Sequence, residues 1–284
     1  MLLRNNLTKK VYKGPLKGII LDWSGTTCDK YVIAPAIVFY NVFKKHKVPI
    51  TMREAREPMG LRKDLHIKAI TEIPSVKDKW FKQYGRYPDD NDVSNMFKDF
   101  VPMQLDCLDK YSDLIPGTEE AVKIFREKFN LKIGGTTGFT REMVNVLLNN
   151  TEKQNLMFDS FVAGDDIFEG AGARPKPFML YENLIKLDLF PIESVVKVDD
   201  TVGGVGEGLN SGCWTIGLSR YSNYMNINTL EEENQLSEQE INIRHNHSKE
   251  KLKETGCHYI VDDITNIPDV LTDINNRLAN GETP

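Results

Sequence analysis

The sequence predicts an α/β fold: a doubly wound, Rossmann-like parallel sheet with an inserted α-helical cap domain. Three observations lead there. Short β-branched runs recur along the chain, each ending in small or acidic residues. Helical patterns lie between them, the alternation expected when parallel strands are joined by helices. Residues 31–110 break that rhythm and show helical periodicity alone. The expected division is a first core segment over 1–30, a cap domain over 31–110 and a second core segment over 111–284.

The elements follow in order. Lys17–Asp22 reads as the first strand, an uninterrupted apolar run suited to burial on both faces. In the cap, Ala36–Lys47 has helical spacing, and Thr51-Met-Arg-Glu54 has the spacing of a capping box. Ser94–Leu108 reads as a longer helix, with Met96, Phe97, Phe100 and Leu105 as its apolar positions. Thr118–Phe129 opens the second core segment, with Thr118 expected as the capping hydroxyl and Glu119 and Glu120 in the first turn. Strands are then expected at Leu131–Gly134, Ser160–Ala163, Val195–Asp199, Trp214–Leu218 and His258–Val261, with a helix over Glu142–Leu148. The polar stretch Asn226–Glu254 reads as a solvent-facing helical connection before the last strand. No internal repeat is evident.

Composition narrows the class. The 284 residues are 40 % hydrophobic and 27 % charged, ordinary for a globular protein. A net charge of -5 argues against a nucleic-acid partner, which needs clustered Lys and Arg. No apolar run approaches the ~18 residues of a membrane helix, so no membrane partner is expected. The first ten residues lack the apolar stretch of a secretory signal. Cys28, Cys107, Cys213 and Cys257 are scattered, without a Cys-x-x-Cys pair, and read as reduced thiols of a cytoplasmic protein.

Three strand ends carry reactive groups. Asp22 closes the first strand and precedes Trp23-Ser-Gly-Thr-Thr27; Thr136-Thr137-Gly138 closes the second; Asp199-Asp200-Thr201 closes the fourth. In open parallel sheets, ligands bind at the carboxyl ends of strands near the point where strand order reverses, so these ends should converge. Any one of them alone is more often a turn. Together with Arg174-Pro-Lys-Pro177 they supply what phosphoryl transfer to an aspartate requires. Asp22 would attack phosphorus. Thr137 and Arg174 would neutralise phosphoryl oxygens. Asp22 and Asp200 would hold a Mg²⁺ ion that screens carboxylate from phosphate.

These motifs resemble those of the haloacid dehalogenase superfamily. Within it, Asp22-Trp-Ser-Gly-Thr-Thr27, Pro58-Met-Gly-Leu-Arg-Lys63, Lys132-Ile-Gly-Gly-Thr-Thr-Gly-Phe-Thr-Arg-Glu-Met143, Arg174-Pro-Lys-Pro177 and Lys197-Val-Asp-Asp-Thr201 are similar to the phosphonoacetaldehyde hydrolase (phosphonatase) family. So is the tail, from Gly256 to Glu282. The similarity spans nearly the whole chain, and the Met-Gly-Leu-x-Lys element is its most specific part. It implies cleavage of a small phosphonate, an active-site histidine at His66 and a homodimer built through the cap.

Chemistry agrees with that implication. Phosphatases of the superfamily carry an acid two residues after the nucleophile to protonate a departing alkoxide; here Ser24 stands there, a poor general acid. Its main-chain carbonyl could still be a metal ligand. Breaking a C–P bond leaves a carbanion, which a lysine can stabilise by first turning the neighbouring aldehyde into a protonated imine. Lys63 could supply that amine if burial or nearby cations leave it partly neutral. Gly60 suits a close approach of backbone to ligand, and Met59 can pack on the substrate. His66, three residues beyond Lys63, would share its helix face and could shuttle protons. The sequence departs from the family pattern at Ser24 (alanine is usual), Phe139 (tyrosine) and Val32 (cysteine in some members). Lys176 could compete with Arg174 for phosphate, though Arg174 holds the first basic slot. Two other readings stay open: a phosphatase or mutase acting on a small phosphate ester, and a catalytically silent binding protein on the same scaffold.

Overall fold

The computed structural model describes residues 11–167 and 174–284. β1 (Gly18–Leu21) is followed by a 3-10 turn at Lys30–Val32 and five helices, α1 (Ile33–Lys45), α2 (Met52–Arg56), α3 (Lys63–Glu72), α4 (Pro74–Tyr84) and α5 (Asp90–Leu108). Next come α6 (Thr118–Glu127), β2 (Lys132–Thr136), α7 (Arg141–Glu152), β3 (Ser160–Val162), α8 (Phe178–Leu187), β4 (Val195–Asp199) and α9 (Val202–Ser211). The chain closes with β5 (Trp214–Leu218), α10 (Leu230–Gln235), α11 (Glu238–Lys253), β6 (Tyr259–Val261) and α12 (Ile267–Ala279). The six strands are parallel in the order β3-β2-β1-β4-β5-β6, the doubly wound arrangement expected.

Alternation along the strands sorts the core. Ile19 and Leu21 of β1 join Val196, Val198, Ile216 and Leu218 under α6 and α12, whereas Ile20 and Val195 face α8. Lys197 and Asp199 share the parity of Val195, which aims them toward the helices on that second face. The α1–α5 insertion is not closed on itself. Its buried Phe39, Phe43, Ile67 and Phe100 form one cluster with Trp23, Phe161 and with Met143, Val144 and Leu147 of α7.

Caps explain where several helices depart from their expected bounds. The Asp29 carboxylate accepts hydrogen bonds from the N–H groups of Ile33 and Ala34, at 3.0 and 3.2 Å, so α1 starts ahead of Ala36. Asp89 accepts from Asn91 and Asp92, starting α5 four residues before Ser94. Thr140 accepts from Met143 and starts α7 at Arg141. The Thr51–Glu54 capping box forms as expected. Thr118 does not cap α6: Gly117, at φ 84°, takes that position, and the Thr118 hydroxyl instead donates to the Thr27 carbonyl at 3.2 Å. β2 continues two residues past Gly134, to Thr136. Asn226–Glu254 contains α10 and α11 and is not wholly solvent-facing, since Ser248 and Leu252 are buried. No helix among the described residues is long and apolar enough to cross a membrane.

Candidate active site

Register sets the site. Leu21 pairs with Gly135 on one side and Val198 on the other, so Asp22 emerges level with Thr136 and Asp199 at the point where strand order reverses. The loop after it is tightly wound. The amides of Thr27 and Cys28 donate to the Trp23 carbonyl, the Thr27 hydroxyl donates to the Asp22 carbonyl at 3.1 Å, and the Asp22 amide donates to Val198. Thr137 follows β2 and its hydroxyl accepts from the Phe139 amide. Asp200 follows β4 and accepts from the Asn223 amide at 2.8 Å.

Four carboxylates and two cations meet behind this opening. Arg174 Nη1 lies 2.8 Å from Asp22 Oδ1 and 3.4 Å from Asp199 Oδ2, while its Nε lies 3.1 Å from Glu207 Oε2. Lys197 Nζ lies 3.1 Å from Asp199 and 3.5 Å from Glu207. Burial, then repulsion from Asp199, raises the Asp22 carboxyl to about 6; Arg174 and Lys197 hold it from rising further. Burial, then Asp199 and Asp22, pushes Asp200 well above the usual carboxylate range. Burial also opposes charge on Arg174, but Asp199, Asp22 and Glu207 outweigh it and raise its pKa. Lys176, the rival cation of the same motif, is exposed.

A divalent cation fits these donors. One oxygen each of Asp22, Asp199 and Asp200 lies within 4.8 Å of the others, and Asp200 Oδ1 is enclosed with no hydrogen bond. Hard, clustered carboxylates of this kind suit Mg²⁺ or Ca²⁺. Ser24 lines a small space together with Asp22, which places it beside the cluster.

Lys63 opens α3 and lines that small space with Asp22. Its side chain is buried, and its Nζ sits 4.4 Å from the centre of the Phe139 ring. Burial lowers the amine to about 8, with Arg174 adding to the effect and Asp22 opposing it. Met59 and Gly60 line the same space. Gly60 has φ 98°, and a Cβ there would come within 2.6 Å of the Thr201 hydroxyl. His66 is fully enclosed and lies behind Lys63, outside the lining. Its Nε2 is 2.8 Å from the Ala55 carbonyl, its ring stacks on Phe39 and its Nδ1 has no partner. Because a carbonyl only accepts, Nε2 carries the hydrogen. Burial, then Lys63, drives the His66 pKa well below its ordinary value, so the ring is neutral.

The space between these groups measures about 20 Å³ and is lined also by Val32 and Phe139. A larger cleft of 840 Å³ runs past the adjoining Glu57 and Val202 toward His247 and Lys251. It contains none of the clustered carboxylates, whereas the smaller space is lined by Asp22.

Asp199, Lys197, Glu207 and Thr136 were not assigned roles from sequence. A signal existed for two of them. Lys197 interrupts a strand buried on both faces, and Glu207 is the one acid in the apolar, glycine-rich run 202–209; both need a buried partner.

The fold is that of the haloacid dehalogenase superfamily, with Asp22, Thr137, Arg174 and Asp200 brought together at its strand ends. No protein-family model matches the chain. It is 38 % identical over 275 residues to the phosphonoacetaldehyde hydrolase of Syntrophobacter fumaroxidans, covering 97 % of this chain and 98 % of the relative. It is 37 % identical to that of Paraburkholderia xenovorans, covering 95 % and 99 %. A crystal structure of a phosphonoacetaldehyde hydrolase-like protein from Oleispira antarctica superposes with a TM-score of 0.92 at 32 % identity, over 100 % of both chains. The chain belongs to the phosphonoacetaldehyde hydrolase family.

Proposed function

We propose that this protein hydrolyses the C–P bond of phosphonoacetaldehyde to acetaldehyde and phosphate. One observation carries the reading: Lys63, buried and with its amine lowered to about 8, lines the same small space as the carboxylate Asp22. An ester phosphatase would use a lysine there as a fixed positive charge, whereas an amine shifted toward neutrality suits a nucleophile.

The neutral amine of Lys63 adds to the aldehyde carbon, and loss of water leaves a protonated imine. Neutral His66 serves as the proton shuttle in this exchange, through Nδ1. Asp22 then attacks phosphorus. The C–P bond breaks, and its electron pair moves into the imine to give an enamine. Protonation at carbon and hydrolysis release acetaldehyde and regenerate Lys63. Water cleaves the aspartyl phosphate, returning Asp22 and phosphate. Arg174 and Thr137 hold the phosphoryl oxygens, and Met59 and Gly60 pack on the substrate. Asp22, Asp200 and the Ser24 carbonyl would hold Mg²⁺, with Asp199 beside them. When bound, the ion supplies positive charge that lets a carboxylate approach a phosphonate anion.

The helices of 31–110 act as a lid that brings Lys63 to Asp22 and excludes water. Their exposed Phe81, Tyr84 and Tyr87 support a homodimer through the cap. The four free cysteines support a reducing, cytoplasmic setting.

The test is incubation of pure protein with Mg²⁺ and phosphonoacetaldehyde, measuring both products. Equal amounts of acetaldehyde and phosphate are expected. Phosphate from esters with no acetaldehyde would sink the proposal. Borohydride trapping with peptide mapping should place the adduct on Lys63.

A further inference from the structure

Arg174 has five N–H donors in a rigid plane, and only Nη1 points toward Asp22. The rest of the fork is held from behind. Nε lies 3.1 Å from Glu207 Oε2, and Nη2 donates to the Thr136 hydroxyl at 2.7 Å. Lys197 Nζ donates to the same hydroxyl at 2.7 Å, and that hydroxyl donates to Glu207 Oε2 at 3.3 Å. Thr136 Oγ1 thus uses both acceptor sites and its single hydrogen, so it has one orientation available. Glu207, Lys197 and Thr136 are each fully buried. Lys197 lies 3.1 Å from Asp199 and 3.5 Å from Glu207, so without its amine Glu207 and Asp199 would leave excess negative charge in a dry site. Local sequence makes room for the pair: a Cβ on Gly208 would come within 2.8 Å of Lys197 Cβ.

We propose that Glu207, paired with Lys197 and joined through Thr136, is a positioning residue that aims Arg174 at the phosphoryl group. Fixing Nε and Nη2 leaves the guanidinium no rotation in its plane, and Nη1 is presented forward. None of the three touches the reacting atoms; they act through Arg174. The inference rests on the phosphate-binding role given to Arg174 above, but not on C–P cleavage.

Binding of inorganic phosphate to the Mg²⁺-loaded protein, measured by titration calorimetry, tests it without reference to turnover. Glu207→Gln should weaken phosphate binding by roughly 10- to 100-fold, the loss seen when the partner that orients a metal ligand is removed, since Glu207 orients Arg174 in the same way. Arg174→Lys should weaken it comparably. In the double variant, Glu207→Gln should add less than about twofold, because groups acting as a unit are not additive. If Glu207→Gln does not fold, judged by its melting curve, Thr136→Val breaks the same junction isosterically and should give the same pattern. The proposal is overturned if the wild type does not bind phosphate, if the single variant binds within about twofold of wild type, or if the two losses add in full. Absence of acetaldehyde in the turnover assay alongside an intact binding pattern would reject the C–P reading and leave this one standing.

Discussion

Lys63 and Asp22 draw on one burial in opposite directions: enclosure lowers the amine to about 8 and raises the carboxyl to about 6. Near neutrality this leaves a usable fraction of neutral amine beside a mostly ionised nucleophile. An amine loses its proton as pH rises through its pKa. Trapping of aldehyde on Lys63 should therefore climb about tenfold per pH unit below 8 and level off above it. A climb continuing to pH 10 would show an ordinary lysine. Asp22→Asn should cut phosphate release by roughly 10³-fold or more, as loss of a nucleophile does, while the borohydride adduct on Lys63 still forms. Loss of the adduct as well would mean that Asp22 also serves imine formation. At this scale motif position singled out Arg174 over Lys176, and Arg174 is buried beside Asp22 while Lys176 is exposed. His66 was readable as a neighbour of Lys63 on one helix face. Its seclusion behind Phe39 was not readable, because it depends on how α1 packs on α3.

Two connecting segments carry the strain that positions the site. Between β1 and α1, Asp29, Tyr31 and Val32 all have positive φ, at 50°, 65° and 57°, which is rare for a β-branched residue. Arg56 at the end of α2 stabilises this bend: its Nη1 donates to the Tyr31 carbonyl at 2.7 Å and its Nη2 to that of Ile227 at 2.6 Å. The second segment is the turn at Gly60 that feeds α3. Gly60→Ala should cost about 1–2 kcal/mol, seen as a lower melting temperature, because φ 98° strains any side chain and the Cβ meets Thr201. It should also slow trapping at Lys63, since the displaced turn carries that residue. Unchanged stability and trapping would show that the turn relaxes freely. Capping boxes such as Thr51–Glu54 could be read from spacing alone. The cap at Asp29 could not, because Asp29 lies four residues before α1 and reaches it only through the left-handed bend.

Across the whole molecule, buried acids make stability depend on pH. Burial raises Asp29 to about 7, against the hydrogen bonds from Ala34 and Ile33 and the charge of Arg56. With its folded pKa above its unfolded one, Asp29 contributes stability that is complete below about pH 4 and lost as pH rises through 7. Asn caps helices as well as Asp does. Asp29→Asn should thus match wild type near pH 4 and melt higher near pH 8; equal melting curves at both would refute the shift. In metal-free protein Asp22 and Asp200 act in the same sense. Mg²⁺ at about 100 times its dissociation constant at neutral pH should add about 2.7 kcal/mol, and the same concentration should add more at higher pH, because the ligand carboxylates must first lose protons. A metal effect independent of pH would place the ion elsewhere.

The sequence by itself determined the alternation of strands and helices, the insertion after β1 and which polar residues stand at the strand ends. Those features are local: period, capping spacing and motif order survive without knowledge of distant contacts. Only the tertiary structure decided that Asp22, Thr136 and Asp199 stand level, since that depends on strand register. It alone decided that Glu207 and Lys197 close around Arg174, because α9 must dock on β4 before a buried acid and a buried amine can find each other. It likewise decided that the helical insertion shares its apolar core with α7, since the side chains in that cluster run from Trp23 to Ala163 in the chain, and burial favours whichever apolar surfaces the fold brings together.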